Sequence, residues 1–237
     1  MNTTAYELLL QVHVAFGILS LLAFWLQMPT RKRGRLHRWV GRFYFAAMTG
    51  VVASAVPMTA LLAVDGNWPA TLLLTFLSAI TVAAGVGAWM AARWRSGRMT
   101  AQRRFATAAN WGIVAVSLTM LAAFQVGGAL FVGLGAFGLW AAIADLRRPT
   151  DALVWRSWQV RHVEGVIGTG MAVHIAFLAF GLRRLLGDAY GNLHFLLAFV
   201  VPVVLGVWAS HAFTRRWREK EDGEPAGRVE PAGSASP

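Results

Sequence analysis

Between Leu8 and Phe213 the chain is a succession of long apolar runs, separated by short stretches rich in arginine, glycine or turn-forming residues. The first run, LLLQVHVAFGILSLLAFWLQM from Leu8 to Met28, follows Glu7 and is closed by Pro29 and the basic stretch RKRGRLHR. About 20 residues at 1.5 Å of rise match a hydrocarbon layer of ~30 Å, so the run predicts a membrane-crossing helix. A second crossing is expected over 39–64, ending at the turn-forming trio Asp65-Gly66-Asn67, with Pro57 as a candidate kink. A third covers 68–92, and RWRSGRMTAQRR follows it. No charged residue occurs from Phe105 to Ala144. A single helix of that length would reach ~60 Å, twice the layer, so two are predicted, 105–124 and 128–144. Gly127 and Gly128 permit the tight reversal between them. Crossings at 158–181 and 193–213 bring the number to seven, and 214–237, polar and rich in Gly, Pro and acids, reads as a disordered tail.

Composition agrees with this pattern: 57% of residues are apolar, 14% are charged, and the mean hydropathy is +0.52. The net charge is +11, and Lys32 and Lys220 are the only lysines among 22 basic residues. Such a charge can signal nucleic acid, but here the arginines cluster between apolar runs without interleaved stacking aromatics, which argues for topology instead. Placing the basic loops in the cytoplasm puts the amino terminus outside and the carboxyl terminus inside. The loops at 93–104 and 145–161 then share a side, as two crossings between them require. Arg183 and Arg184 are the exception, in an outer loop. Trp39, Trp68, Trp94, Trp155, Trp158 and Trp217 fall near span ends, where an interfacial aromatic belt lies. The expected protein is therefore all-α, a polytopic seven-helix bundle meeting anionic lipid head groups at its cytoplasmic loops. MNTTAYE lacks the basic start of a signal peptide, so the first run is expected to stay as a helix.

Candidate chemistry is confined to a few polar groups inside these runs. The sequence has no cysteine, which removes thiolate metal sites and a cysteine nucleophile. It has no HExxH, GxSxG or Walker motif, so hydrolytic and nucleotide-driven chemistry lacks support. The sixth run, WQVRHVEGVIGTGMAVHIAFLAFG, carries Arg161, His162, Glu164 and His174. Ionisable groups within the bilayer are costly and are candidates for function.

Counting residues from the span ends puts His13 and His174 both ~10 Å below the outer surface. One reading makes them a pair of imidazoles binding haem b or a copper ion, and the other gives each a hydrogen-bonding neighbour within the bundle. Glu164 with His37, His162 and His211 could form an inner metal or proton-accepting site, the competing arrangement being an Arg161–Glu164 ion pair. Two stacked haems are disfavoured, because His162 and His174 are separated by ~120° of helical rotation. Gly165, Gly168 and Ala172 form a strip suited to close helix packing, and Asn110 is an expected interhelical hydrogen-bonding group.

The HVAFG of the first run, GRLHRWVGRFYFAAM opening the second and RHVEGVIGTGMAVHIAFLAF in the sixth resemble bacterial multi-pass proteins classed as domain of unknown function 2306. The likeness covers roughly residues 10–213, is most specific over 34–42, and is best at His13, His37 and His162. It implies the membrane topology and a place in a bacterial inner membrane, and it brings no activity with it. Three functions are compatible with the residues: a histidine-lined haem or metal site for electron transfer or metal handling, a non-enzymatic accessory or lipid-interacting protein, and a proton-coupled small-solute carrier using Glu164.

Overall fold

A computed structural model of the 237-residue chain describes residues 3–31, 34–94, 99–147, 158–182 and 191–223. Among these the regular structure is entirely helical: α1 (Thr3–Gln27), α2 (Arg35–Val64), α3 (Trp68–Trp94), α4 (Met99–Ala122), α5 (Phe124–Leu146), α6 (Trp158–Ala176) and α7 (Gly191–Gly223). All seven are long and apolar enough to cross a membrane. Their outward faces suit lipid: Leu22, Leu26, Val204 and Trp208 are exposed, a cost in water that is absent among acyl chains.

The turns follow from local chemistry. Between α2 and α3, Gly66 adopts a φ of +73°, which glycine reaches without steric cost. The Asn67 side chain then accepts from the Ala70 amide at 3.4 Å, at the start of α3. Between α4 and α5 the helix loosens at Ala123, and the backbone leaves helical geometry at Gly128, with φ 57° and ψ −150°. The chain thus reverses at the expected glycine pair, and the contacts of Asn110 with Asp145 and of Ser117 with Gly138 face each other across it. α2 continues through Pro57 as one helix.

α7 runs on to Gly223, past the expected end of the seventh crossing at 213 and into the expected tail. Arg, Trp, Glu and Lys between 215 and 221 are compatible with a continuing helix. Of the expected tail, 224–237 lies outside the described residues, as do Arg183, Arg184 and Trp155.

Helices adjacent in sequence pack together except α5 and α6; α6 packs instead against α3, and also against α7. Small residues make the packing of α6 on α3 possible. A Cβ on Gly165 would sit 2.6 Å from the Ala84 carbonyl oxygen, and one on Gly168 would sit 3.2 Å from the Ala84 Cβ. The α3 and α6 backbones are thus in near contact, as small-residue strips allow where lipid provides no hydrophobic drive between helices. One core cluster gathers Phe76, Met120, Phe131 and Phe199 from α3, α4, α5 and α7. Another gathers Phe24, Tyr44, Met48 and Val173 from α1, α2 and α6.

Candidate functional site

Polar groups on α6 make it the hub of the bundle. The Arg161 guanidinium donates to Gln102 Oε1 on α4, and Gln102 Nε2 donates to the Met90 carbonyl on α3 at 3.2 Å. His162 Nδ1 reaches the Ala88 carbonyl at 3.1 Å. Thr169 Oγ1 lies 2.7 Å from the Tyr44 hydroxyl of α2, both groups buried. His174 meets Trp25 of α1. A polar group surrounded by hydrocarbon must find a partner within the protein, so each of these contacts fixes where one helix lies against another. Elsewhere, Asn110 Nδ2 donates to Asp145 Oδ2 at 2.7 Å, joining α4 to α5.

The structure separates the two outer histidines. His174 Nε2 accepts the indole N–H of Trp25 at 3.0 Å, and His174 Nδ1 donates to the Gly170 carbonyl at 2.7 Å. Both ring nitrogens are thereby engaged, and no lone pair is left for a metal. Trp25 and His13 are twelve residues apart on α1, ~18 Å of rise and ~120° of rotation, so the histidines engage that helix at different places. The expected pairing of His13 with His174 on one cofactor is corrected on this ground. Residue counting from the span ends sets both histidines at one level, whereas the packing of Gly170 on Phe24 and of His174 on Trp25 sets His174 toward the carboxyl-terminal end of α1.

The inner set is dispersed as well. His37 Nδ1 lies 3.0 Å from Thr30 Oγ1 at the end of α1. His162 faces α3, and His211 is exposed on α7. Glu164 is half-buried on α6. Among the described residues no three His, Asp or Glu side chains gather as a metal site. The expected inner site of His37, His162, His211 and Glu164 is not assembled among the described residues: His37 meets Thr30, His162 meets Ala88, and His211 is exposed.

His13 stands in a different setting. Its Nδ1 lies 3.0 Å from the Val51 carbonyl and 3.0 Å from Ser54 Oγ on α2. The Ser54 hydroxyl spends its own proton on the Gly50 and Val51 carbonyls, at 2.7 and 2.9 Å. A carbonyl only accepts, so this network assigns the ring proton to Nδ1 and leaves Nε2 with its lone pair. Nε2 has no partner among the described residues.

The ring lines a cavity of about 700 Å³ enclosed by α1, α2, α3 and α6. That size falls within the range of ligand pockets. Among the described residues no charged side chain lines it, and beside His13 the polar ones are Tyr6, Ser78 and Thr81. Val14 and Ile18 border it and are 42% and 49% exposed, which gives the cavity a mouth on the apolar flank of the bundle.

The wall contributed by α6 is irregular. From Phe177 to Gly181 the helix widens into a π-turn, and Phe177, Phe180 and Gly181 all border the cavity. Single π-turns inside α-helices occur often at functional sites, because they displace side chains that a regular helix would stack.

Sequence reasoning selected His13 and missed the cavity, the π-turn and Trp25 as the partner of His174. An indole N–H and a tyrosine hydroxyl at membrane depth both require acceptors, and that was the available signal for Trp25 and Tyr44. No protein-family model matches the chain, and no curated protein or solved structure matches it either.

Proposed function

We propose that the protein binds a lipid-soluble, uncharged small molecule bearing a hydroxyl group, with His13 Nε2 as the hydrogen-bond acceptor. The observation that carries this reading is the fixed tautomer of His13 in an apolar cavity. With Nδ1–H committed to Val51, the ring offers only an acceptor, so the matching ligand group is a donor such as an alcohol or a phenol. Walls without charge suit a neutral body, and a mouth between Val14 and Ile18 suits entry from among the acyl chains. Isoprenoid alcohols and lipid phenols have this chemistry. The reading belongs to the lipid-interacting class, and no bond-making step is assigned to the protein.

A second reading is supported by the same nitrogen. Histidines that bind metals usually donate their other ring N–H to a carbonyl, the arrangement His13 has with Val51. A haem b iron held by His13 alone would use the Nε2 lone pair, and electron transfer would be the corresponding role. The two propionates of haem weigh against it, since the described walls of the cavity hold no cation to meet them. A proton-coupled carrier has less support, because Glu164 borders neither this cavity nor the groove between α2 and α3.

We place the chain in a bacterial inner membrane on the resemblance given above, with its amino terminus outside on the strength of the arginine-rich loops. This orientation puts His13 in the outer half of the bilayer. Kinship with the domain of unknown function 2306 proteins is proposed on the GRLHRWVGR run alone.

The test is the purified protein itself: its visible spectrum, with mass analysis of an organic extract. The hydroxyl-ligand reading expects no Soret band and an enriched hydroxyl-bearing lipid whose recovery falls in His13→Leu. A Soret band lost in His13→Leu would replace it with the haem reading.

A further inference from the structure

A second recess lies lower on the bundle, on the lipid-facing side of the α2–α3 pair. It is a groove of about 580 Å³, with Ala46 and Ala53 on one wall, Val86 and Trp89 on the other, and Thr169 contributing to its floor. Gly85 makes room for that floor, since a Cβ there would stand 3.3 Å from Thr169 Cγ2. At the end nearest the arginine-rich loops the groove is bordered by Arg42. This guanidinium is exposed and has no hydrogen-bond or ion-pair partner among the described residues.

We propose that the groove binds one anionic phospholipid, with its phosphate on Arg42 and one acyl chain laid along Ala46, Ala53 and Val86. Length, charge and shape each support that occupant. From Arg42 to Ala53 the helix rises ~16 Å, about half of a ~30 Å hydrocarbon layer, which is the depth that one leaflet's chains occupy. Arginine presents a planar fork of donors that matches a phosphate, and an unpaired guanidinium at the membrane surface is an available binding group. Arg31, Arg35 and Arg38 lie at the same end and raise the local concentration of anionic lipid. The site is separate from the His13 cavity, although Met48, Val52 and Thr81 border both and form the partition between them. A bound lipid would therefore press on a wall of the upper cavity.

The experiment is native mass spectrometry of the full-length protein in detergent, titrated with phosphatidylglycerol or phosphatidylcholine. Wild type is expected to retain phosphatidylglycerol in preference to phosphatidylcholine. Arg42→Gln is expected to lower phosphatidylglycerol retention roughly fivefold, the worth of about one charge at a membrane surface. Arg31→Gln, a charge removed away from the groove, should change it less than twofold, about the spread expected of a peripheral site. Ala53→Trp fills the groove from an exposed position and should lower retention as Arg42→Gln does. Equal losses in Arg31→Gln and Arg42→Gln would overturn the proposal in favour of diffuse attraction. Undiminished binding in Ala53→Trp, or equal retention of the two lipids by wild type, would overturn it as well.

Discussion

The buried pair between Tyr44 and Thr169 ties α2 to α6, and the direction of its hydrogen bond leads to an asymmetric prediction. Thr169 Oγ1 donates to its own helix, at 3.0 Å from the Val166 carbonyl and 3.2 Å from that of Gly165. Its single proton is thus spent, and at 2.7 Å it receives the Tyr44 hydroxyl proton. Tyr44→Phe removes the donor and leaves Thr169 bonded to its own helix. The loss should be near that of one net hydrogen bond, about 0.5–1.5 kcal/mol, and toward the lower figure in a membrane protein.

Thr169→Val keeps the shape but strands a fully buried tyrosine hydroxyl with no acceptor. Stranding such a group costs its desolvation, about 1–3 kcal/mol, so this substitution should be the more harmful of the two. The double variant removes both groups and should return to about the stability of Tyr44→Phe. Reversible unfolding in mixed micelles, following the loss of helix against denaturant fraction, measures all four corners of the cycle. Tyr44→Phe proving worse than Thr169→Val, or purely additive losses, would refute the assigned direction and with it the contact of α2 with α6.

Four further outcomes follow from the geometry. Gly165→Ala should destabilise, since a Cβ 2.6 Å from the Ala84 carbonyl oxygen forces α3 and α6 apart at about 1–3 kcal/mol. Gly87→Ala, with nothing within 4 Å, should stabilise by roughly 0.5–1 kcal/mol through helix propensity; the same unfolding assay reads both. Gly128→Ala should lower stability by about 1–3 kcal/mol, because φ 57° with ψ −150° is a region reserved for glycine, and unchanged stability would contradict that backbone. Trp25→Phe removes the donor from His174 Nε2, so acylation of His174 by diethyl pyrocarbonate should speed up, whereas an unchanged rate would contradict the pairing.

Much of the fold is legible in the sequence because membrane helices are summed properties: length, hydropathy and the absence of charge suffice to mark seven runs. Asp65-Gly66-Asn67 is legible as a turn for a local reason, the φ of +73° that Gly66 supplies. Contacts between helices are different, because they depend on the face each helix turns toward its neighbour. His13 is equally marked as a buried imidazole whether it meets His174 or Ser54, and only the packing of α1 on α2 decides. His174 lies deep for a reason its own run does not contain, the Trp25 indole of another helix. The continuation of α7 past Phe213 was hidden by charge: residues that end a membrane span need not end a helix.

The central claim is that His13 Nε2 accepts a hydrogen bond from a lipid-soluble hydroxyl compound. It is tested most directly by titrating the purified protein with farnesol and with farnesyl methyl ether, which differ by one proton donor. Wild type is expected to prefer the alcohol by roughly 2–10-fold, the equivalent of one net hydrogen bond. His13→Leu should bind both alike, a ratio that does not depend on how much of the variant folds. Equal binding of alcohol and ether by wild type, or a preference that survives His13→Leu, would contradict the account.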